Sequence, residues 1–159
     1  MAAGHLSEDG GVALTVRIVV YGKPAPAGSK VAGRTLDGRS YVRDASKGSA
    51  EWKRLISQVA GTAMDGKSLL EGELTARIIF HLPRPKGHYG KKGLRDSAPD
   101  WPTVKPDVLK LARAVEDALS GIVYRDDAQI VMETIIKRYG DPTRCDISIG
   151  RIGEMPNYL

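Results

Sequence analysis

A single cysteine, Cys145, leaves this 159-residue chain without an internal disulfide framework or a multi-cysteine zinc site, and agrees with a reducing cytoplasm. Long apolar runs are missing too: stretches such as Val12 to Leu14 and Ile78 to Phe80 fall far short of the ~20 residues a membrane span needs. The first eleven residues hold acids and glycines but no basic segment followed by an apolar one, so they do not read as a secretory signal. No nucleotide-binding loop is present. Gly28-Ser29-Lys30 comes near one, but that motif needs lysine directly after its second glycine, and Ser29 intervenes. His81 has no second histidine at ligand spacing, which favours a packed or solvated strand histidine over a metal ligand.

What remains is an ordinary folded composition, 42% hydrophobic and 27% charged, which excludes wholesale disorder and fibrous repeats. The length suits one domain. We read a flexible N-terminus over 1–13, a single domain over 14–153 and a C-terminal tail over 154–159. The formal net charge is +5, but it is unevenly spread. Residues 17–54 carry nine bases and three acids and residues 84–113 eight and three, whereas residues 114–159 carry five bases and eight acids. Basic flanks around a carboxylate-rich segment suit a metal-dependent nuclease, with phosphate attraction beside a cation-binding centre. Ordinary scattering of surface charge is the competing reading.

The local patterns predict the order β, α, β, α, β, β. Thr15 to Gly22 is β-branched and closes on Lys23-Pro24-Ala25-Pro26, a strand and a rigid turn. Ala27 to Ser49 reads as an irregular or hairpin segment with Gly38 in a turn and Tyr41-Val42 returning. Trp52, Leu55, Ile56, Val59 and Met64 share a helical face, with Ser49 as N-cap and an end near Asp65-Gly66. Glu73 to Pro83 is a strand with Leu74, Ala76, Ile78 and Phe80 on one face. Arg84 to Pro106 shows no period, and its bases stand among His88, Tyr89 and Trp101, so it reads as a long basic loop able to grip phosphates and stack on bases. Val108 to Leu119 is an amphipathic helix opened by Asp107 and closed at Gly121. Ala128 to Tyr139 and Arg144 to Ile152 are read as a terminal hairpin. The expected class is therefore α+β, a mixed sheet with two main helices packed on one face.

Lys105-Pro106-Asp107, then Lys110, Arg113 and Asp117-Ala118-Leu119, then Tyr124-Arg125-Asp126-Asp127-Ala128-Gln129 resemble the RusA family of Holliday junction resolvases. The resemblance is densest over 104–140. It implies a homodimeric crossover junction endodeoxyribonuclease that cuts four-way DNA junctions in recombination and repair. It implies Mg²⁺ as cofactor, with Mn²⁺ as a substitute, and no nucleotide cofactor. The setting it implies is the cytoplasm of a bacterial cell, from a bacterial, phage or prophage gene.

Carried over position by position, Asp107 and Asp127 match the metal-holding aspartates of the family. Arg113 stands where a lysine is usual, and a cation there would hold the scissile phosphate. Asp117 matches a family acid that is either a metal ligand or a cap or ion-pair partner; Asp126 supports the site or forms the turn. The expected DNA contacts are Lys30, Arg34, Lys86, Lys91, Lys92, Arg95, Lys105 and Lys110.

The departure is Leu109, where many relatives carry a second aspartate. Glu116 lies seven residues on, on the same helical face and about 10 Å along the axis. Either the carboxylate has moved to Glu116, which then joins the metal ligands, or Glu116 is simply exposed. Magnesium keeps several waters, so two carboxylates and substrate oxygens can suffice without Leu109. The alternative function is a catalytically weakened junction-binding or RNA-binding module of the same fold.

Overall fold

The computed structural model describes residues 15–28, 30–44 and 48–155. The segment 1–13 read as a flexible N-terminus and residues 156–159 of the tail lie outside the described residues, as does the Lys30 side chain.

β1 (Val16–Tyr21) alternates strictly, burying Val16, Ile18 and Val20 and exposing Arg17, Val19 and Tyr21. A separate antiparallel hairpin follows, β2 (Lys30–Arg34) with β3 (Ser40–Asp44), turning through Gly38. α1 (Ser49–Ala63) buries Ser49, Trp52, Ile56 and Ala60 at helical spacing. Ser49 is not the N-cap. Its side chain is fully buried in the first turn, and Gly48 caps instead with φ 82°, a left-handed backbone that glycine alone adopts without penalty.

β4 (Leu74–Leu82) is the central strand and is largely buried on both faces. The region after it is more ordered than its sequence suggests. A single 3₁₀ turn (Lys86–His88) leads into a small hairpin, β5 (Tyr89–Gly90) with β6 (Gly93–Leu94). α2 (Val108–Leu119) buries Leu111, Ala112, Ala114, Val115, Ala118 and Leu119. Its length and face match the apolar period. A second 3₁₀ turn (Asp127–Gln129) precedes β7 (Ile130–Tyr139), and β8 (Arg144–Arg151) ends the domain.

The four long strands form one mixed sheet in the order β1-β8-β4-β7. β7 runs parallel to β4, and β8 runs antiparallel to both β4 and β1. The expected terminal hairpin is therefore absent. β7 and β8 are joined by a short turn, yet β4 lies between them, and its two largely buried faces suit that interior position.

Register defines the core. Ile18, Ile147, Ile78 and Ile135 stand opposite one another across all four strands, facing α1 and α2. Burying each such side chain contributes about 1.5–3 kcal/mol. The row to one side is Val16, Ile149, Ala76 and Glu133, and to the other Val20, Cys145, Phe80 and Lys137. Edge strand β7 thus places two charged residues on the helix-facing side, where the other strands carry apolar ones. On the opposite face buried His81 bonds Asp146 through Nε2 at 2.7 Å, the packed strand histidine expected. No helix among the described residues is long and apolar enough to cross a membrane.

Candidate functional site

α2 lies along β7, and each of its ends is tied down by named contacts. At the N-terminal end Lys137 Nζ of β7 donates to the carbonyls of Val104 (2.8 Å) and Pro106 (3.0 Å). These hold the chain on both sides of Lys105 and deliver Asp107 to the N-cap position of α2. Asp107 makes no side-chain cap bond. It is exposed, and its nearest charged partner is Lys110 Nζ at 3.7 Å.

At the other end the buried Tyr124 hydroxyl donates to the Glu116 carbonyl at 3.0 Å. The turn that follows is held by side chains. The Asp126 carboxylate accepts from Ala128 N, and the Gln129 amide oxygen accepts from the backbone of Arg125 and Asp126. Gln129 Nε2 then donates to the carbonyls of Leu70 and Gly72, fastening the turn to the segment before β4. With Asp126 used for capping, Asp127 is the acid left facing outward from this turn.

Glu116 is not simply exposed. Its carboxyl is partly buried and lies in the field of Glu133 of β7. Burial first, then the charges of Glu133, Asp127 and Asp117, push its pKa up to about 7 from an ordinary 4.5. The Glu133 carboxyl is raised as well, chiefly by partial burial. Burial, together with Glu116, Asp127 and Glu133, also raises the Tyr124 phenol. Asp107 does not join this group. It stands nine positions before Glu116, about 13.5 Å along the helix.

The remaining expected residues divide. Asp117 is engaged in an ion pair with Lys53 of α1 at 2.9 Å, which locks the two helices together. Arg113 is exposed midway along α2. Lys86, Lys91, Lys92 and Arg95 are exposed on and around the β5–β6 hairpin, Lys105 and Lys110 are exposed beside Asp107, and Arg34 is exposed at the end of β2. Leu109 is 70% exposed, so nothing packs over the position where relatives carry an acid.

Two residues of the site escaped the sequence reading, Glu133 and Lys137. Both follow the period-two alternation of β7 through Ile135, which places them on the helix-facing side, but only the register against β4 reveals which alternate set that is.

Among the described residues no three His, Cys, Asp or Glu side chains are drawn together around one point in a way that would hold a metal. The donor set nevertheless fits a hard cation. Glu133 and Asp127 both add negative charge to the field at Glu116, and none of the three takes part in an ion pair among the described residues. Magnesium takes one or two protein carboxylates and completes its shell with water and substrate phosphate. Carboxyl oxygens lacking basic partners are the ligands it prefers.

Residues 20–150 match the protein family described as Endodeoxyribonuclease RusA. The chain is also 28% identical over 140 residues to an uncharacterized protein, YqaN, of Bacillus subtilis (strain 168), an alignment covering 86% of this chain and 96% of that protein. The family match takes in β4, β7, β8 up to Gly150, the last two residues of β1, both helices and every carboxylate described above. The chain is a member of the RusA endodeoxyribonuclease family.

Proposed function

We propose that this chain is a divalent-metal-dependent endonuclease that binds four-way DNA junctions as a homodimer and makes paired cuts at the crossover. Family membership supports the substrate class. The observation that carries catalysis is the Glu116–Glu133 carboxyl pair with Asp127, a set of oxygen donors that takes part in no ion pair among the described residues. These three are the residues assigned to Mg²⁺ or Mn²⁺, while Asp107, at the other end of α2 and outside that group, is assigned to the reaction as a separate carboxylate. When bound, such a cation supplies an activated water and stabilises the charge that develops on the phosphate.

The chain's own groups have separate tasks. With its pKa raised to about 7, Glu116 must lose its proton before both carboxylates can act as ligands. The Tyr124 hydroxyl and the Asp126–Gln129 turn hold the Glu116 and Asp127 backbones still. Arg113 is assigned to the scissile phosphate, and Lys86, Lys91, Lys92, Arg95, Lys105 and Lys110 to the flanking backbone. A two-fold dimer would match the approximate symmetry of a four-way junction and offer two sites for paired cuts.

The test is incubation of the purified chain with a labelled four-way junction, with and without Mg²⁺ or Mn²⁺. Paired cuts that need the metal are expected. Exposed Leu109 favours a second reading, a junction-binding or RNA-binding module that has lost catalysis, and tight binding with no cutting in either metal would establish it.

A further inference from the structure

The β5–β6 hairpin carries an apolar pair that the core does not use. Tyr89 and Leu94 stand directly opposite each other across the two strands, each 50% exposed, and neither packs into the hydrophobic cluster. Two short strands do not hold a shape in water unaided. Here the shape is imposed from outside. Gly93 takes φ 110° in the turn, Arg95 N donates to the His88 carbonyl, and Arg95 Nε donates to the Tyr89 carbonyl at 3.2 Å. Below the hairpin, Arg84 stacks over the Tyr139 ring at 4.2 Å and donates to the Pro99 carbonyl, while His88 meets the same ring edge-on at 5.6 Å.

Tyr139 lies two residues beyond Lys137 on β7, on the same side of the strand and about 7 Å along it. Lys137 holds the segment that presents Asp107, and Tyr139 holds the base of the hairpin. One strand end therefore sets both the catalytic aspartate and the apolar tip.

We propose that Tyr89 and Leu94 form a wedge that stacks on an open base pair at the branch point of the DNA. This rests on the proposed function and assigns its structural selectivity to a specific pair. Four exposed bases, Lys86, Lys91, Lys92 and Arg95, surround the pair, with Asp96 as the nearest acid in sequence. A polyanion with accessible π-faces matches that surface, and a base–aromatic stack contributes on the order of 1–3 kcal/mol. A second copy of the chain matches it poorly, since a two-fold axis there would set Lys91 and Lys92 against their own equivalents.

The test is metal-free binding in EDTA to a four-way junction carrying 2-aminopurine beside the crossover, compared with a linear duplex of the same sequence. The wild-type chain should prefer the junction and raise the 2-aminopurine fluorescence as the base unstacks. Tyr89→Ala with Leu94→Ala should abolish the rise and reduce the junction-to-duplex affinity ratio by about fivefold or more, the size of one lost stack. Tyr89→Phe should keep both. A double variant with an undiminished ratio and fluorescence rise overturns the wedge alone. Wild-type protein that binds both DNAs equally overturns the wedge together with junction recognition. A double variant that turns a DNA-free dimer into a monomer reassigns the pair to a second copy and also overturns the wedge.

Discussion

Glu116 of α2 and Glu133 of β7 bring two carboxyl groups into one another's field across the helix–sheet contact, and burial together with the charge of Glu133 pushes the Glu116 carboxyl well above the usual carboxylate range. Neither has a basic partner among the described ion pairs. Such an arrangement is costly in the free protein once the proton leaves, and favourable for a cation that takes its place. The cost can be read as a pH dependence.

In the folded chain Glu116 titrates near pH 7 rather than at the ordinary 4.5. A raised acid pKa means that the folded state binds more protons than the unfolded state between those values. Its contribution to stability is therefore complete below about pH 4.5 and is lost as pH rises through about 7. Thermal melts in EDTA should show a lower Tm at pH 8 than at pH 5, and Glu116→Gln, which keeps the side-chain size but cannot titrate, should reduce that drop. Adding Mg²⁺ should raise the wild-type Tm more at pH 8 than at pH 5, because protons compete for the same oxygens. Equal slopes in variant and wild type would remove Glu116 from the titration.

Removing charge without changing side-chain size separates the carboxylates by role. Asp107→Asn, Asp127→Asn and Glu133→Gln should each suppress metal-dependent cleavage while leaving junction binding in EDTA, which rests on the basic side chains. A partial loss that is recovered at high Mg²⁺ is expected of Glu133→Gln, since Glu116 would still offer one oxygen ligand. Cleavage by any of the three at the wild-type rate under limiting Mg²⁺ would take that residue out of the site.

Asp117 tests the opposite assignment. Its ion pair with Lys53 joins α1 to α2, and both side chains retain partial contact with water, 22% and 37% exposed. Asp117→Asn should therefore cost about 0.5–1 kcal/mol of stability, measured by denaturant unfolding, with little change in the Mg²⁺ requirement for cleavage. A steep rise in the metal requirement would instead make Asp117 a ligand.

Much of this arrangement was legible in the chain itself. The 3.6-residue period of Val108 to Leu119 and the alternation of β4 located their core faces, because burial imposes those spacings whatever the topology. The insertion of β4 between β7 and β8 was not legible. A short turn after Tyr139 suits a hairpin equally well, and only competition among strands for the central position decides it. For the same reason Glu133 stayed hidden: its meaning depends on facing Ala76 on one side and α2 above. The region 84–106 looked irregular because its order comes from scattered anchors, Arg84, His88 and Tyr139, rather than from a repeating pattern.

Lys137 offers a test of positioning as distinct from chemistry. It is half-buried, and its ammonium donates to the Val104 and Pro106 carbonyls, so Lys137→Met removes two charge-assisted bonds from the segment that leads into Asp107. Hydrogen bonds to a charged group contribute about 1.5–3 kcal/mol. The loss should be local, since the isoleucine row of the sheet is untouched. Amide exchange at Leu111, whose N–H bonds the Asp107 carbonyl at 3.1 Å, should accelerate about tenfold or more while the Ile78 and Ile147 amides keep their protection. Cleavage should fall in parallel, and Lys137→Arg should recover part of both by donating to the same carbonyls. If Lys137→Met lost cleavage while Leu111 exchange stayed unchanged, Lys137 would be acting directly on the DNA phosphate, and its hold on the Asp107 segment would be incidental.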